Sequence, residues 1–503
     1  MRTRPKARRR SPGPAESRRY RWCRIRSRSG SGPAGPAVPG HNDVVSVPPR
    51  LAPLLAPDAP VQRVACTLVD AGHECYLVGG SVRDALIGDI PVEFDFASSA
   101  RPDEIERLLA PIADHVWLQG QRFGTVGAQV GGVPCEVTTF RAETYHPDSR
   151  KPEVTFGDSI EVDLSRRDFT VNALALRLPD AVLVDPFDGA GDLAAGRLRT
   201  PLSPEISFTD DPLRMLRAAR FVARFGFVPV PELVTACEVL RDRLEIVSTE
   251  RIRDELAKLL VVEDPSAGLW FLANTGLSDT FLPELNSMEL EQDPIHHHKD
   301  VLAHSIAVVA KTRPELVVRL AALMHDVGKP KTRSFERGRA TFHHHEVVGA
   351  RMTRDRLTAL KFPTDIVEDV TQLVYLHLRI HTYAMGWTDA AVRRYVRDAG
   401  DLLEQLNELQ RCDCTTRNVR KARTLSRRMD ELEERITALA AQEELRAIKP
   451  PLDGKQVMDF LGVAPGPIVG EALNFLLEAR LDEGPIEEAD AHARLRAWYD
   501  ERA

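Results

Sequence analysis

The residues with the most chemical potential lie in Tyr76–Phe96, which reads YLVGGSVRDALIGDIPVEFDF. Gly79, Gly80 and Ser81 end a β-type run, and their small side chains let backbone N–H groups approach a phosphate. A helix opening at that point adds its N-terminal dipole. Arg83 sits one turn into the helix, and Gly88 ends it. A second strand then carries Glu93 and Asp95. Residues two apart on a strand share a face, so both carboxylates can hold the same Mg²⁺ ions. Phosphoryl transfer uses such a pair to activate a hydroxyl and to neutralise the leaving pyrophosphate. A Gly-Gly pair alone says little, and two acids on an edge strand are ordinarily solvated; their combination at this spacing points to nucleotidyl chemistry.

Imidazole is the second chemical feature. Ten of the fifteen histidines lie between His296 and His381. His304, the pair His325-Asp326 in LAALMHDVGKP, His345 in FHHHEVVGA, His377 in VYLHL and Asp413 in RCDCTT are spread over several predicted helices. Helical bundles assemble metal sites in their cores from such dispersed imidazoles and carboxylates. The runs His296–His298 and His343–His344 read instead as surface residues, because three neighbours on a helix cannot all face one ion.

The third feature is Phe208–Arg224, FTDDPLRMLRAARFVAR, where Asp211 precedes Pro212 at a helix start and Arg214, Arg217 and Arg220 follow at three-residue steps. Its plain reading is a charged face packed on the other side through Leu213, Leu216 and Phe221. Chemistry suggests more. Cytosine and adenine both present an amino donor beside a ring-nitrogen acceptor, so a carboxylate beside a guanidinium matches them and repels uracil and guanine.

These residues need elements to hold them. From Val61 to about Leu198, short β-rich runs at Cys75–Val78, Glu93–Phe96, Gly124–Val130 and Glu136–Phe140 alternate with helical stretches, predicting an α/β domain. Beyond Pro212 helical periodicity carries through Arg214–Arg224, Glu250–Leu260, Val301–Lys311, Val317–Met324 and Ala422–Arg446, with a break at Lys449-Pro450-Pro451. A chain of 503 residues with 43% hydrophobic content divides into several domains. Seven scattered cysteines suit a reducing compartment, and no apolar run reaches the roughly 18 to 20 residues of a membrane span. A cytoplasmic setting without membrane contact is expected. Residues 1–42 hold twelve Lys/Arg against one acid, in a chain whose net charge is −7. The body is therefore strongly acidic, which by itself argues against a nucleic-acid partner, and the motifs must decide.

The Tyr76–Phe96 stretch closely resembles the signature of the polymerase-β-like nucleotidyltransferases, specifically the class II branch of CCA-adding enzymes and bacterial poly(A) polymerases. That family has Asp at both carboxylate positions, whereas Glu93 stands at the first here; this departure bears on activity and metal preference. The resemblance assigns a third acid to Glu136, in PCEVTTFR. It also makes Asp163–Leu174, DLSRRDFTVNAL, a hinge and ribose-contacting motif, with Arg167 for the triphosphate. Base selection falls to Asp211 and Arg214, with Arg217 and Arg220 nearer the nucleotide and its phosphates. Asp210 stands where the family usually has Glu.

The histidine-rich middle resembles the HD superfamily of metal-dependent phosphohydrolases. His304, His325, Asp326 and Asp413 match its metal cluster, to which His345 and His377 add, implying a second divalent metal besides Mg²⁺. The segment with Leu452-Asp453-Gly454 and Pro465–Gly470 resembles the tail of HD-containing members.

The expected fold is therefore α+β. A disordered basic arm spans 1–50 and a polymerase-β-like nucleotidyltransferase domain 51–200. A helical nucleobase-recognition and neck region at 201–275, an HD domain at 276–446 and a helical RNA-binding tail at 447–503 follow. The resemblance implies addition of CCA, or part of it, to tRNA 3′ ends from CTP and ATP, and it leaves two roles open for the HD domain: hydrolysis of RNA-end phosphates, or structural support for the tRNA elbow. Two alternatives stand beside it: a poly(A) polymerase using ATP alone, and an HD phosphohydrolase whose transferase half has decayed into an RNA-binding module.

Overall fold

Strand β1 (Cys75–Val78) is buried at every position, as the centre of a sheet requires. In the computed structural model, which describes residues 55–502 apart from 90, 147–148, 158, 291–299, 337–338, 383–386, 415–418 and 446–447, β1 lies within a seven-stranded sheet. The basic arm and His296–His298 fall outside the described residues. Along the chain come β2 (Phe94–Ser98), β3 (His115–Trp117), β4 (Thr125–Val130), β5 (Val133–Thr139), β6 (Arg141–His146), β7 (Ser149–Phe156), β8 (Ala175–Leu178) and β9 (Val182–Val184). The sheet order is β3-β4-β5-β2-β1-β8-β9, while β6 and β7 form a separate hairpin. Only the β2–β5 pair is parallel in the large sheet; it sets Asp95 opposite Glu136 and Phe96 opposite Val137.

Alternation along these strands divides the sheet chemically. Phe94, Phe96, Cys135 and Val137 point into a core shared with the helices Pro60–Asp70 and Pro102–Leu109. Asp95 and Glu136, one residue out of phase, stand on the opposite face with Ala97. A one-residue slip would bury both acids against aliphatic side chains, so the hydrophobic pattern itself fixes the face that carries them.

The remainder is helical apart from short strands. β10 (Arg197–Leu198) and β11 (Val228–Pro229) pair in parallel, and β12 (Arg333–Glu336) and β13 (Arg339–Phe342) form a hairpin. The helices Leu213–Phe225, Thr249–Leu260, Val301–Lys311 and Leu316–Met324 match the periodic stretches to within a residue or so. The helix beginning at Val419 ends at Ala440, short of the expected Arg446. One hydrophobic cluster runs from Phe169 to Ile448 and on to Leu481, so the neck and the histidine-rich region share a core. Arg319 fastens them: its buried guanidinium donates to the carbonyls of Leu260 (2.5 Å), Glu263 (2.9 Å) and Thr312 (3.0 Å). The last three helices, Gly454–Leu461, Pro467–Glu483 and Glu488–Asp500, enclose a small core of their own around Leu476, Leu495 and Trp498. Asp453 and Gln456 form a capping box on the first of these helices. Among the described residues no helix is long and apolar enough to cross a membrane, and the described cysteines are free thiols.

Candidate functional site

Gly79 connects β1 to the helix Gly80–Ile87 with φ 67° and ψ −129°, a conformation that disfavours a side chain. A second constraint is steric, because a Cβ there would lie 2.7 Å from the Arg167 guanidinium. Arg167 therefore reaches across the glycine turn, held by Asp163, whose Oδ2 accepts from Arg167 Nη2 at 3.0 Å and whose Oδ1 accepts from Arg166 at 2.8 Å. The Ser81 side chain adds a tie that the backbone reading of this turn did not include. Its hydroxyl donates to the Glu93 carbonyl (3.3 Å) and accepts from the Asp95 N–H (3.0 Å), pinning the glycine turn to the start of β2.

Glu93 stands one residue before β2, not within it, and is exposed; Asp95 is half-buried and Glu136, its partner in register, is exposed. Burial pushes the Asp95 carboxyl up, Arg167 opposes that rise, and Glu136 and Glu93 add to it, to about 6. Asp95 feels the charge of both other carboxylates, and hard oxygen donors of this kind with a single guanidinium nearby are the chemistry that suits a divalent cation.

Arg83 is buried, with its guanidinium beside Gly80, where a Cβ would lie 3.5 Å from Nη2, and it is already paired there. Its Nε donates to Asp84 at 2.7 Å, another nitrogen donates to Asn172 Oδ1, and its guanidinium lies 4.7 Å over the Phe225 ring. Asp211 caps the helix Leu213–Phe225 through the Leu213 N–H (3.2 Å) and pairs with Arg251 at 2.9 Å. Arg214 is buried, donating to Ser207 Oγ at 2.8 Å and to the Arg166 carbonyl, which places it beside the Arg167 segment. Arg217 and Arg220, expected near the nucleotide and its phosphates, spend their guanidinium groups otherwise. Arg217 binds Asp168 Oδ2 (2.8 and 2.5 Å), and Arg220 binds Glu255 Oε2 (2.8 Å).

Sequence reasoning placed Asp163, Asp168 and Asn172 in the hinge and ribose-contacting motif without giving them partners, and it passed over Glu255. Asp168 is the node of this group, accepting from Arg217, from the Phe169 N–H (2.9 Å) and from Asn172 Nδ2 (2.9 Å). Burial raises its carboxyl, but Arg217 and Asn172 outweigh that and hold it down to about 2. The folded value lies below the ordinary one near 3.9, so the stabilisation is present above that value and is lost as pH falls through about 2. Asp168→Asn is expected to cost roughly 2 to 3 kcal/mol at neutral pH, with the difference from the parent protein closing as pH approaches about 2. Urea unfolding across that range measures it; a pH-independent difference would show that Asp168 acts by shape alone.

The histidine-rich region forms a second centre. His304 lies within its helix, whereas His325 and Asp326 follow the end of Leu316–Met324, His345 begins His345–Ala359, His377 follows Thr364–Leu376 and Asp413 ends Leu403–Asp413. The Nδ1 atoms of His325, His345 and His377 hydrogen-bond the carbonyls of Ala322 (2.8 Å), Phe342 (2.7 Å) and Val374 (2.6 Å). Those bonds fix the tautomer and leave each Nε2 free to ligate. The Nε2 of His304 stands 3.2 Å from that of His325 and 2.9 Å from Asp413 Oδ1, and the Nε2 of His377 stands 3.3 Å from that of His345. Two ligand groups result, His304–His325–Asp326 and Asp326–His345–His377, sharing Asp326.

The electrostatics fit a cation. Burial and the neighbouring His325 push the His377 imidazole down to about 3, keeping it in the neutral form that ligates metals. Asp326 and Asp413 outweigh burial at His325 and push its imidazole up to about 10, so the cluster calls for positive charge that a proton or a metal ion can supply. Lys329, which motif reading did not single out, donates to Asp326 Oδ2 at 2.7 Å. His343 and His344 are exposed, as surface residues should be.

Comparison with known proteins accounts for this arrangement. Residues 75–199 match the poly A polymerase head domain, residues 226–289 the probable RNA and SrmB-binding site of polymerase A, and residues 296–441 the HD domain. The A-adding tRNA nucleotidyltransferase of Deinococcus radiodurans is 37% identical over 441 residues, 84% of this chain and 95% of that protein. The CCA-adding enzyme of Levilactobacillus brevis is 42% identical over 212 residues, 42% of this chain and 52% of that protein. The crystal structure of the Bacillus stearothermophilus CCA-adding enzyme in complex with CTP aligns with a TM-score of 0.64 at 25% identity, covering 90% of this chain and 99% of the other. A relative matched almost end to end, together with head, RNA-binding and HD domains in sequence, means that the chain belongs to the tRNA nucleotidyltransferase family of A-adding and CCA-adding enzymes.

Proposed function

We propose that the chain adds CCA, or part of it, to tRNA 3′ ends from CTP and ATP, without a nucleic-acid template and in the cytoplasm. The observation that carries this reading is the in-register pair Asp95 and Glu136, with Glu93 beside it, under a glycine turn crossed by Arg167. In the reaction the acceptor 3′ oxygen bonds to the α-phosphorus of the incoming nucleotide, the bond to the β-phosphate bridging oxygen breaks, and pyrophosphate leaves. Glu93, Asp95 and Glu136 would hold Mg²⁺, which when bound lowers the pKa of the attacking hydroxyl and offsets charge on the leaving group. The Gly79-Gly80 turn offers backbone N–H groups to the triphosphate and Arg167 its guanidinium. Asp211, kept beside Arg251, and Arg214, fixed by Ser207, supply the carboxylate and guanidinium that match cytosine and adenine. Arg217 and Arg220 act one step back, through Asp168 and Glu255, as positioning residues.

A second reading, addition of the terminal A alone, is supported by the relative aligned over most of both chains, which is named A-adding. Incorporation of each labelled triphosphate into tRNA lacking CCA, tRNA ending in CC and a generic RNA oligonucleotide separates the readings. Ordered C, C, A on tRNA lacking CCA supports the first and A on CC-ended tRNA with no addition to tRNA lacking CCA the second, while long A tails on any RNA would replace both with poly(A) polymerisation. In the same assay Glu93→Asp is expected to leave activity unchanged or raise it, because Ser81 fixes the backbone at Glu93 whatever the side-chain length. A large drop would show a site built around the longer carboxylate.

The HD cluster is read as a divalent-metal centre: the two ligand groups that share Asp326, the first with Asp413 beside it, would each hold a cation, which when bound would activate water. Hydrolysis of phosphate esters at RNA ends is the activity that suits it.

A further inference from the structure

The row that carries the two carboxylates continues past Glu136. β5 pairs with β4 and β4 with β3, so that Asp95, Glu136, Gly127 and Trp117 stand side by side across four strands. Residues directly opposite on neighbouring strands share a face. A Cβ on Gly127 would meet the Trp117 indole at 1.9 Å, so the ring occupies the space over this glycine. Gly127 does not have a positive φ, and what the missing side chain supplies is room for the ring. With strands about 4.8 Å apart, the indole covers ground roughly 10 Å from Asp95. It is only half-buried, and the turn Gln121–Phe123 joining β3 to β4 exposes Arg122, whose guanidinium lies 4.6 Å over the exposed Phe123 ring.

The groups assigned to the nucleotide lie elsewhere: Gly79 follows β1, with Arg167 across it and Arg214 bonded to the Arg166 carbonyl. In the sheet β1 and β4 flank the β2–β5 pair on opposite sides. We propose that the Trp117 indole is the stacking platform for the last base of the RNA acceptor, which approaches Glu136 and Asp95 from the β3–β4 side. An aromatic face suits this task because the terminal base changes at each addition and every base has a π face. The neighbouring turn adds Arg122 over the Phe123 ring, and aromatic rings together with exposed arginines are the combination that grips single strands.

This rests on the transferase reading and deepens it, so the two failures must be separable. Three variants of the full chain are measured for KM toward tRNA and toward CTP and ATP. Trp117→Ala is expected to raise the tRNA KM about tenfold, with nucleotide KM and thermal midpoint little changed. Trp117→Phe is expected to restore it, whereas Trp117→Leu, which covers Gly127 without a π face, should behave like Ala. A Leu variant equal to the parent protein, or equal rises in tRNA and nucleotide KM, would overturn the platform. Absence of any incorporation by the parent protein defeats the transferase reading instead. The platform is then judged by quenching of 2-aminopurine at the tRNA 3′ end, which the parent protein should cause and Trp117→Leu should not.

Discussion

Asp95→Ala is expected to reduce nucleotide incorporation by about three orders of magnitude or more, with the fold intact. Metal-assisted charge stabilisation is worth several kcal/mol in such transfers, and each 1.36 kcal/mol is a factor of ten in rate. Asp95 feels the charge of both other acids, so under the proposed mechanism its loss would remove the central ligand and not a peripheral one. Stability should move the other way. Its carboxyl is raised to about 6 by burial and by Glu136 and Glu93, against Arg167, so the folded protein resists its ionisation. Because the folded value exceeds the ordinary one near 3.9, this group favours folding at low pH and disfavours it as pH rises through about 6. In EDTA at neutral pH, Asp95→Asn should therefore melt above the parent protein, and near pH 4 the two should coincide. A variant inactive because it is misfolded would melt below the parent at both values, which separates lost chemistry from lost structure.

That opposition between function and stability explains what could be read in the residues and what could not. The face carrying Asp95 was legible because Phe94 and Phe96 alternate with it, and the same holds for Cys135 and Val137 around Glu136. Helices with a strong apolar stripe, such as Val301–Lys311, were legible for the same reason. Illegible were the partners of the arginines. A three-residue spacing of Arg214, Arg217 and Arg220 states where the charges start along one helix, but not which acids come to meet them from positions 168 and 255. Long flexible side chains reach several ångströms, and only tertiary packing decides whether they end on a phosphate, a carboxylate or a carbonyl. Ser81 is the converse case: it was read for the backbone N–H groups of its turn, and only the folded chain shows its hydroxyl splicing that turn to β2. Lys329 was missed because a lysine after an HD pair looks solvated until its 2.7 Å contact with Asp326 is seen.

The shared position of Asp326 leads to the other large effect. Asp326→Ala is expected to strip the HD domain of essentially all bound divalent metal, whereas His377→Ala should remove about half, because Asp326 belongs to both ligand groups and His377 to one. Metal content per chain after dialysis, by elemental analysis, checks both, and equal losses in the two variants would mean a single centre. Phosphohydrolase activity should vanish with the metal. Incorporation of nucleotides should stay within about twofold of the parent, since a network whose ligands do not touch the transferase carboxylates behaves additively with them. Burial and ion pairing make folding the competing explanation: Burial opposes charge on Asp326, yet His325 and Lys329 hold its carboxyl well below the usual range, so its removal leaves buried cationic partners. Asp326→Asn keeps the shape while weakening the ligand, and it should lose metal with less loss of stability. If Asp326→Asn abolished incorporation as well, at an unchanged melting temperature, the HD core and the transferase site would be coupled through the continuous cluster from Phe169 to Ile448. Separate chemistry on one shared core is the expected outcome, because that core is aliphatic and aromatic packing that carries no ligand of either centre.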